Sequence, residues 1–293
     1  MSKYTKGILV TVAGAACWGI SGTCTQYLCS VQGVNSVWLT QIRLIFAGLI
    51  LVCFGFLTER ARFREFTHTP KDFCYCIAFG VCGLMFTQYA YTTSISKTNS
   101  GTATVLQYFS VVIVLVVSCI MARKRPVLRE ILGIFSSIIG IFLVTTHGSF
   151  SSLYISREGF VWGMLSALAA AIYIMMPQNL MKKWGSILPI GWGMFFGGIA
   201  FFFLMRVWRI PMSFDREIVL GLIFIILVGT VCAFVLFLMG TTMIGAARGN
   251  MIGCVEPLVA TLTSAAVLHT VFMPVDILGF VFILATVFVL AKK

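Results

Sequence analysis

The sequence predicts an all-α integral membrane protein, about ten transmembrane helices built as two inverted five-helix repeats. Three observations carry that prediction. Of the 293 residues, 59% are hydrophobic and 10% charged, at a mean hydropathy of +1.01, which leaves too few polar groups to cover a water-soluble globule. The apolar residues fall into runs long enough for a helix to cross a hydrocarbon core about 30 Å thick; strands of a membrane barrel would be about half as long and would alternate in polarity. The two halves of the chain also resemble one another.

Taken in order, the first run covers Gly7 to Leu28, behind Lys3 and Lys6. A signal peptide has similar features, but no small-residue cleavage site ahead of a soluble domain follows, so the segment is expected to be retained. The second run, Val37 to Leu57, contains Arg43. A basic stretch, Glu59 to Lys71, leads to the third, Phe73 to Thr93, and the polar turn Ser94 to Ser100 opens the fourth, Gly101 to Met121. ARKRP, Ala122 to Pro126, breaks the chain before the fifth run, Leu128 to Thr146. The polar run His147 to Glu158 follows, and the repeats are taken as 1–147 and 148–293. The second half gives Gly159 to Leu180, Ile187 to Met205, Ile218 to Gly240, Ala246 to Leu268 and Val275 to Ala291.

The net charge of +12 lies in short clusters between the apolar runs, which fits anchoring at the inner leaflet and forms no continuous face for nucleic acid. With both termini cytoplasmic, inner segments hold fourteen of the 21 Lys and Arg, Lys292 and Lys293 among them. Outer segments hold five: Lys97, Arg157, Arg206, Arg209 and Arg216. The ten cysteines, including Cys17, Cys24, Cys53, Cys119, Cys232 and Cys254, are scattered through the apolar runs and read as small buried apolar residues. Cys74 and Cys76 lack a second pair or a nearby histidine, so no metal site or disulfide framework is expected.

Gly7 to Leu28 aligns without gaps on Gly159 to Leu180, placing Gln26 on Gln178. Thr93 falls on Thr241, Gly101 on Gly249, and Glu130 to Gly133 resembles Asp276 to Gly279. Five crossings is an odd number, so two such halves enter the membrane in opposite directions. Inverted repeats are a recurrent build of secondary transporters, with a site near the midplane.

The stretch best suited to such a site runs from Thr241 to His269 and carries Glu256-Pro257. At about 1.5 Å per residue from Ala246, Glu256 lies about 15 Å deep, where an acid needs a partner. Pro257 removes a backbone donor, so the helix should bend there and free carbonyls. Two roles fit Glu256: binding a substrate ammonium or exchanging a proton during the cycle, or a permanently protonated acid bonded to opened backbone. Tyr108 aligns opposite it, preceded by Gln107. Its hydroxyl and ring face suit a cation or aromatic solute, and aromatic filling between helices fits equally. Arg43, about 9 Å into its run, reads as structural, reaching an interface or a neighbouring helix's carbonyls. Small residues, Ala167 to Ala171, Gly197-Gly198 and Gly245 to Gly249, allow close packing or hinging. His269 reads as interfacial, while His68 and His147 fall in loops.

Cys17-Trp18-Gly19 followed by Arg43, then Glu256-Pro257-Leu258 with a small-residue run and Gly279 opening the last helix, resemble the EamA-type ten-helix permeases of the drug/metabolite transporter superfamily. The resemblance covers essentially the whole chain. It implies that Gln88 and Tyr89, Trp18 and Gln26, and Tyr173, Gln178 and Asn179 line a central cavity, although helical spacing turns Gln178 and Asn179 away from Tyr173. Two departures stand out. Met121-Ala122-Arg123 and Leu268-His269-Thr270 replace the family's Leu-Gly-Glu, and the fourth helix has Phe109-Ser110 where a proline is common, so it is expected to be straighter than the ninth.

The resemblance implies alternating-access transport of a small molecule across the cytoplasmic membrane, by efflux of an amino-acid-like or amphiphilic metabolite driven by its own gradient or by protons. The candidate substrate-binding residues are Glu256, Tyr108, Gln107, Gln88, Tyr89, Trp18 and Tyr173; Pro257, Arg43 and Gly249 are structural or gating. No cofactor, metal or nucleic acid is called for. The alternatives are uptake of a cationic or zwitterionic solute, or an enzyme acting on lipid, for which no reactive cluster is visible.

Overall fold

A computed structural model describes residues 3–149, 152–212 and 214–291, so Lys292 and Lys293, counted above among the inner charges, lie outside the described residues. The chain forms α1 (Lys3–Ser30), α2 (Ser36–Thr58), α3 (Pro70–Lys97), α4a (Ser100–Gln107) and α4b (Ser110–Met121), and α5 (Leu128–Thr146). The second half forms α6 (Arg157–Met175), α7 (Ile187–Leu204), α8 (Arg216–Ile244), α9a (Ala246–Gly253) and α9b (Val255–Leu268), and α10 (Pro274–Ala291). Among the described residues nine segments are long and apolar enough to cross a membrane; the tenth, Pro274–Val289, is a shorter apolar helix. Short helices over Arg60–Thr67 and Gln178–Trp184 join spans. Pro177, which disfavours the α conformation in the residue before it, closes α6 and leaves Gln178 and Asn179 exposed on the connecting helix.

Side-chain caps start several helices. Asn35 accepts from Val37 N–H, Asn99 from Thr102 N–H and Ser156 from Gly159 N–H. In α5 and α10 the equivalent acids do the same, Glu130 accepting from Val127 N–H at 2.8 Å and Asp276 from Met273 N–H at 2.9 Å. Asp276 also meets His147, at 2.7 Å, which ties the end of α5 to the start of α10.

The repeat extends to irregularities. A π turn interrupts α3 at Gly80–Met85, and another interrupts α8 at Leu227–Cys232. Helices α4 and α9 are each broken once, at Tyr108-Phe109 and at Cys254. The pairing pattern survives exchange of the halves: α1 packs on α8 and α9b as α6 packs on α3 and α4b, while α2 meets α7 and α5 meets α10. The expectation of a straighter fourth helix is therefore corrected. At Tyr108 the backbone tightens to i→i+3 bonds, Phe109 N–H to the Leu106 carbonyl and Val111 N–H to that of Tyr108, which ends the α-helix without a proline.

The cysteine reading holds in part. Cys76 and Cys254 are buried, whereas Cys53, Cys74, Cys82 and Cys232 lie on the outside of the bundle, where a thiol behaves as a small apolar group facing lipid.

Candidate functional site

Glu256 and Pro257 form the first turn of α9b, where the missing proline N–H falls among donors that lack intrahelical partners anyway. In a continuous helix that N–H would have reached the Gly253 carbonyl, four residues back. The Tyr108 hydroxyl supplies the donor instead, at 2.6 Å. The two broken helices thus meet at their breaks. Counting from those breaks, Tyr108 corresponds to Cys254, not to Glu256 as the ungapped sequence register has it.

Glu256 as a residue keeps some accessible surface, while groups from four other helices lie near its carboxyl. Tyr108 is within hydrogen-bonding reach, and Arg43 of α2, Tyr91 of α3 and Tyr173 of α6 are close enough to interact electrostatically. The region between these groups is the candidate central space. No direct ion pair joins Glu256 to Arg43 among the described residues.

Arg43 is buried and its hydrogen bonds go elsewhere. Its Nε donates to Thr230 Oγ1 at 2.9 Å and its Nη2 to the Gly229 carbonyl at 3.2 Å, both in the π turn of α8. Thr230 Oγ1 in turn donates to the Ile225 carbonyl at 2.9 Å. The guanidinium satisfies backbone that the wider turn leaves open, at the edge of the space in front of Glu256.

The remaining candidates divide. Tyr173 stacks on Phe79 at 5.9 Å. Trp18 packs on Phe234 and Phe237, at 5.1 and 4.8 Å, and Phe237 reaches the Gly253 segment, so Trp18 stands one ring behind the site. Gln88 is buried, and Gln107 is half-buried beside Tyr108. Tyr89 lies in an aromatic seam with Trp162 and Phe201, at 5.0 and 5.2 Å. Gly249 sits in the α8–α9 corner, where a Cβ would come within 2.2 Å of Thr241 Cγ2. Sequence reasoning missed Tyr91, whose hydroxyl pairs with Thr104 Oγ1 at 2.7 Å, and Thr230. Three-residue spacing from Gln88 puts Tyr91 on that residue's helix face, the signal that adjacency to Tyr89 obscured. Among the described residues no group of three His, Cys, Asp or Glu could hold a metal ion.

One end of this space is sealed. Gln26 Oε1 accepts from Ser100 N–H at 2.9 Å and from Ser264 Oγ at 2.7 Å, while its Nε2 donates to Thr270 Oγ1 at 3.0 Å. Thr23 bonds Thr263 at 2.5 Å, and Ser100 Oγ donates to the Ala260 carbonyl at 3.3 Å. These bonds join α1, the start of α4a and the end of α9b. The other end is not sealed in this way. The α4a–α9b, α1–α4a and α1–α3 interfaces have no counterparts of comparable extent between α9a and α4b, α6 and α9a, or α6 and α8 among the described residues.

The family model described as "EamA-like transporter family" matches the chain twice, over residues 5–146 and 157–292. An uncharacterized inner membrane transporter, YicL, of Salmonella typhimurium is 35% identical over 291 residues, covering 99% of this chain and 97% of that protein. An uncharacterized transporter of Archaeoglobus fulgidus is 25% identical over 185 residues, covering 63% of this chain and 62% of its own. A solved crystal structure of a protein with 12% identity matches at a TM-score of 0.65 over 98% of this chain and 96% of that one, a likeness of fold alone. Twofold matching of one family model to a chain whose helix breaks, π turns and acid caps also occur twice identifies a duplicated membrane protein, and this chain belongs to the EamA-like transporter family.

Proposed function

We propose that this chain is a secondary carrier of the cytoplasmic membrane, with both termini cytoplasmic, that exports an amino-acid-like or amphiphilic metabolite by alternating access. The observation that carries the reading is the Glu256 carboxyl, set where two broken helices meet, within hydrogen-bonding reach of Tyr108 and near Arg43, Tyr91 and Tyr173. A lone acid among hydroxyls and ring faces suits a substrate ammonium attached to an apolar body. A phosphorylated substrate would need more central cations than Arg43, whose Nε and Nη2 are already committed to the π turn. The excess of basic residues on the segments assigned inside supports the orientation. The name of the Salmonella relative supports the membrane.

Tyr108 links the acid to the helix break. A hydroxyl has one proton, and here it goes to the Gly253 carbonyl, so toward Glu256 the Tyr108 oxygen acts as an acceptor and pairs with a protonated carboxyl. A carboxylate draws that proton to itself and releases Gly253. Protonation of Glu256 is thereby coupled to how firmly α4 and α9 are joined.

Counterflow in proteoliposomes, against a panel of amino acids and amphiphilic metabolites at two pH values, tests the reading. At least one compound should exchange, with a pH dependence that Glu256→Gln abolishes. Equal transport and equal pH dependence in the variant would reduce Glu256 to scaffolding.

A further inference from the structure

We propose that Gln26 and Gln178 are paired gate latches, one for each end of the central space, and that only the first is fastened in this structure. The inference deepens the alternating-access reading and rests on it.

Gln26 holds α4a closed. Its carbonyl oxygen takes the Ser100 N–H, one of the donors at the start of α4a that has no intrahelical partner, and takes the Ser264 hydroxyl from α9b at the same time. Wall and lid are easily told apart. Helix α1 packs extensively on α9b, so Gln26 and Ser264 belong to one wall, and the start of α4a is the element brought against it.

The other half contains matching sequence positions, although Gln26 lies within α1 while Pro177 carries Gln178 past the end of α6 onto the connecting helix. Gln26 stands nineteen residues after Gly7, and Gln178 nineteen after Gly159. The two glycines are equivalent in space as well as in sequence: Gly7 abuts Met243 and Ile244 at the end of α8, and Gly159 abuts Lys97 and Thr98 at the end of α3. Ser264 follows the α9 break at Cys254 by ten residues, and Ser118 follows the α4 break at Tyr108 by ten. Helix α4b packs on α6, which gives the matching wall, and the start of α9a is the matching lid. Gln178 and Ser118 are both exposed, and α9a makes no comparable contact with α6 or α4b among the described residues. Because the lid is engaged through a backbone N–H, the second latch needs no particular side chain at the start of α9a.

The carrier alternates by exchanging one set of bonds for the other. Release of Ser100 from Gln26 opens the end sealed here, and capture of the α9a start by Gln178 and Ser118 closes the opposite end. In the orientation proposed above the fastened latch is the outer one.

Hydrogen–deuterium exchange on the full-length protein in nanodiscs, resolved over the starts of α4a and α9a, tests this without a known substrate. Gln26→Ala should raise exchange at the start of α4a by about tenfold and lower it at the start of α9a. Gln178→Ala removes an exposed side chain and should fold normally; it should lower exchange at the start of α4a further. A purely structural Gln26 predicts a local rise with no change at α9a, and that result, or a Gln178→Ala protein indistinguishable from wild type at α4a, overturns the proposal. Reciprocal exchange without counterflow of any panel compound would instead leave the latches standing and count against the export reading.

Discussion

The Tyr108 hydroxyl donates to the Gly253 carbonyl at 2.6 Å, filling the place of the N–H that Pro257 lacks. A side chain on one broken helix therefore completes the backbone of the other. If that is what Tyr108 does structurally, its value depends on the proline. Tyr108→Phe should cost about 1–2 kcal/mol of stability, as loss of one hydrogen bond to a buried acceptor does. In a Pro257→Ala background, where a backbone N–H can reach Gly253, the same change should cost measurably less. Thermal unfolding of the four proteins gives the coupling as a double-mutant cycle, and strict additivity would break the link between the two residues.

Much of this arrangement was legible in the chain itself. Glu256-Pro257 stood out in the chain, because an acid deep in an apolar run is expensive and a proline beside it opens backbone, and the fold puts both in the first turn after the α9 break. The order of the spans and the duplication followed from apolar run length and from pairs such as Gly7 and Gly159, whereas the sixth span, read as Gly159 to Leu180, ends at Met175 ahead of Pro177. The break in α4 was not legible. No proline marks it, since it arises from i→i+3 tightening beside Tyr108 and from a tertiary bond to a residue 145 positions away. The π turns at Gly80–Met85 and Leu227–Cys232 were hidden for a similar reason: an inserted residue shifts hydrogen-bond partners without changing composition. That Tyr91 and not Tyr89 faces the Glu256 side of α3 is a matter of helix face, which one sequence without its neighbours does not resolve.

Thr230 joins Arg43 to the π turn, accepting from the guanidinium and donating to the Ile225 carbonyl. Thr230→Val keeps the shape and removes both bonds, one of them to a charged group. It should destabilise the protein by about 2–3 kcal/mol. Arg43→Lys cannot reproduce a fork that reaches a hydroxyl and a carbonyl together, so its loss should be similar, and the two changes combined should cost less than their sum. Unfolding temperatures of the singles and the double decide it. A Thr230→Val protein as stable as wild type would mean that the π turn holds itself without Arg43.

The π turn of α3 is held by another means, and that difference makes a separate prediction. Gly80 lies against α7 so closely that a Cβ there would come within 2.3 Å of the Gly193 carbonyl oxygen, and a Cβ at Gly197 would come within 2.7 Å of the Gly80 carbonyl oxygen. Where α2 reaches the α8 turn with a long side chain, α7 reaches the α3 turn with bare backbone. A methyl group cannot be absorbed by a rotamer change, because the atoms in its way are backbone. Gly80→Ala should therefore force α3 and α7 apart at about 1–3 kcal/mol or more. Gly83→Ala is the internal control, since its nearest neighbours are ring carbons of Phe79 at 3.0 and 3.1 Å, which can give. The expected order of thermal stability is wild type, then Gly83→Ala, then Gly80→Ala. The reverse order would show that α3 and α7 do not meet on backbone at the π turn.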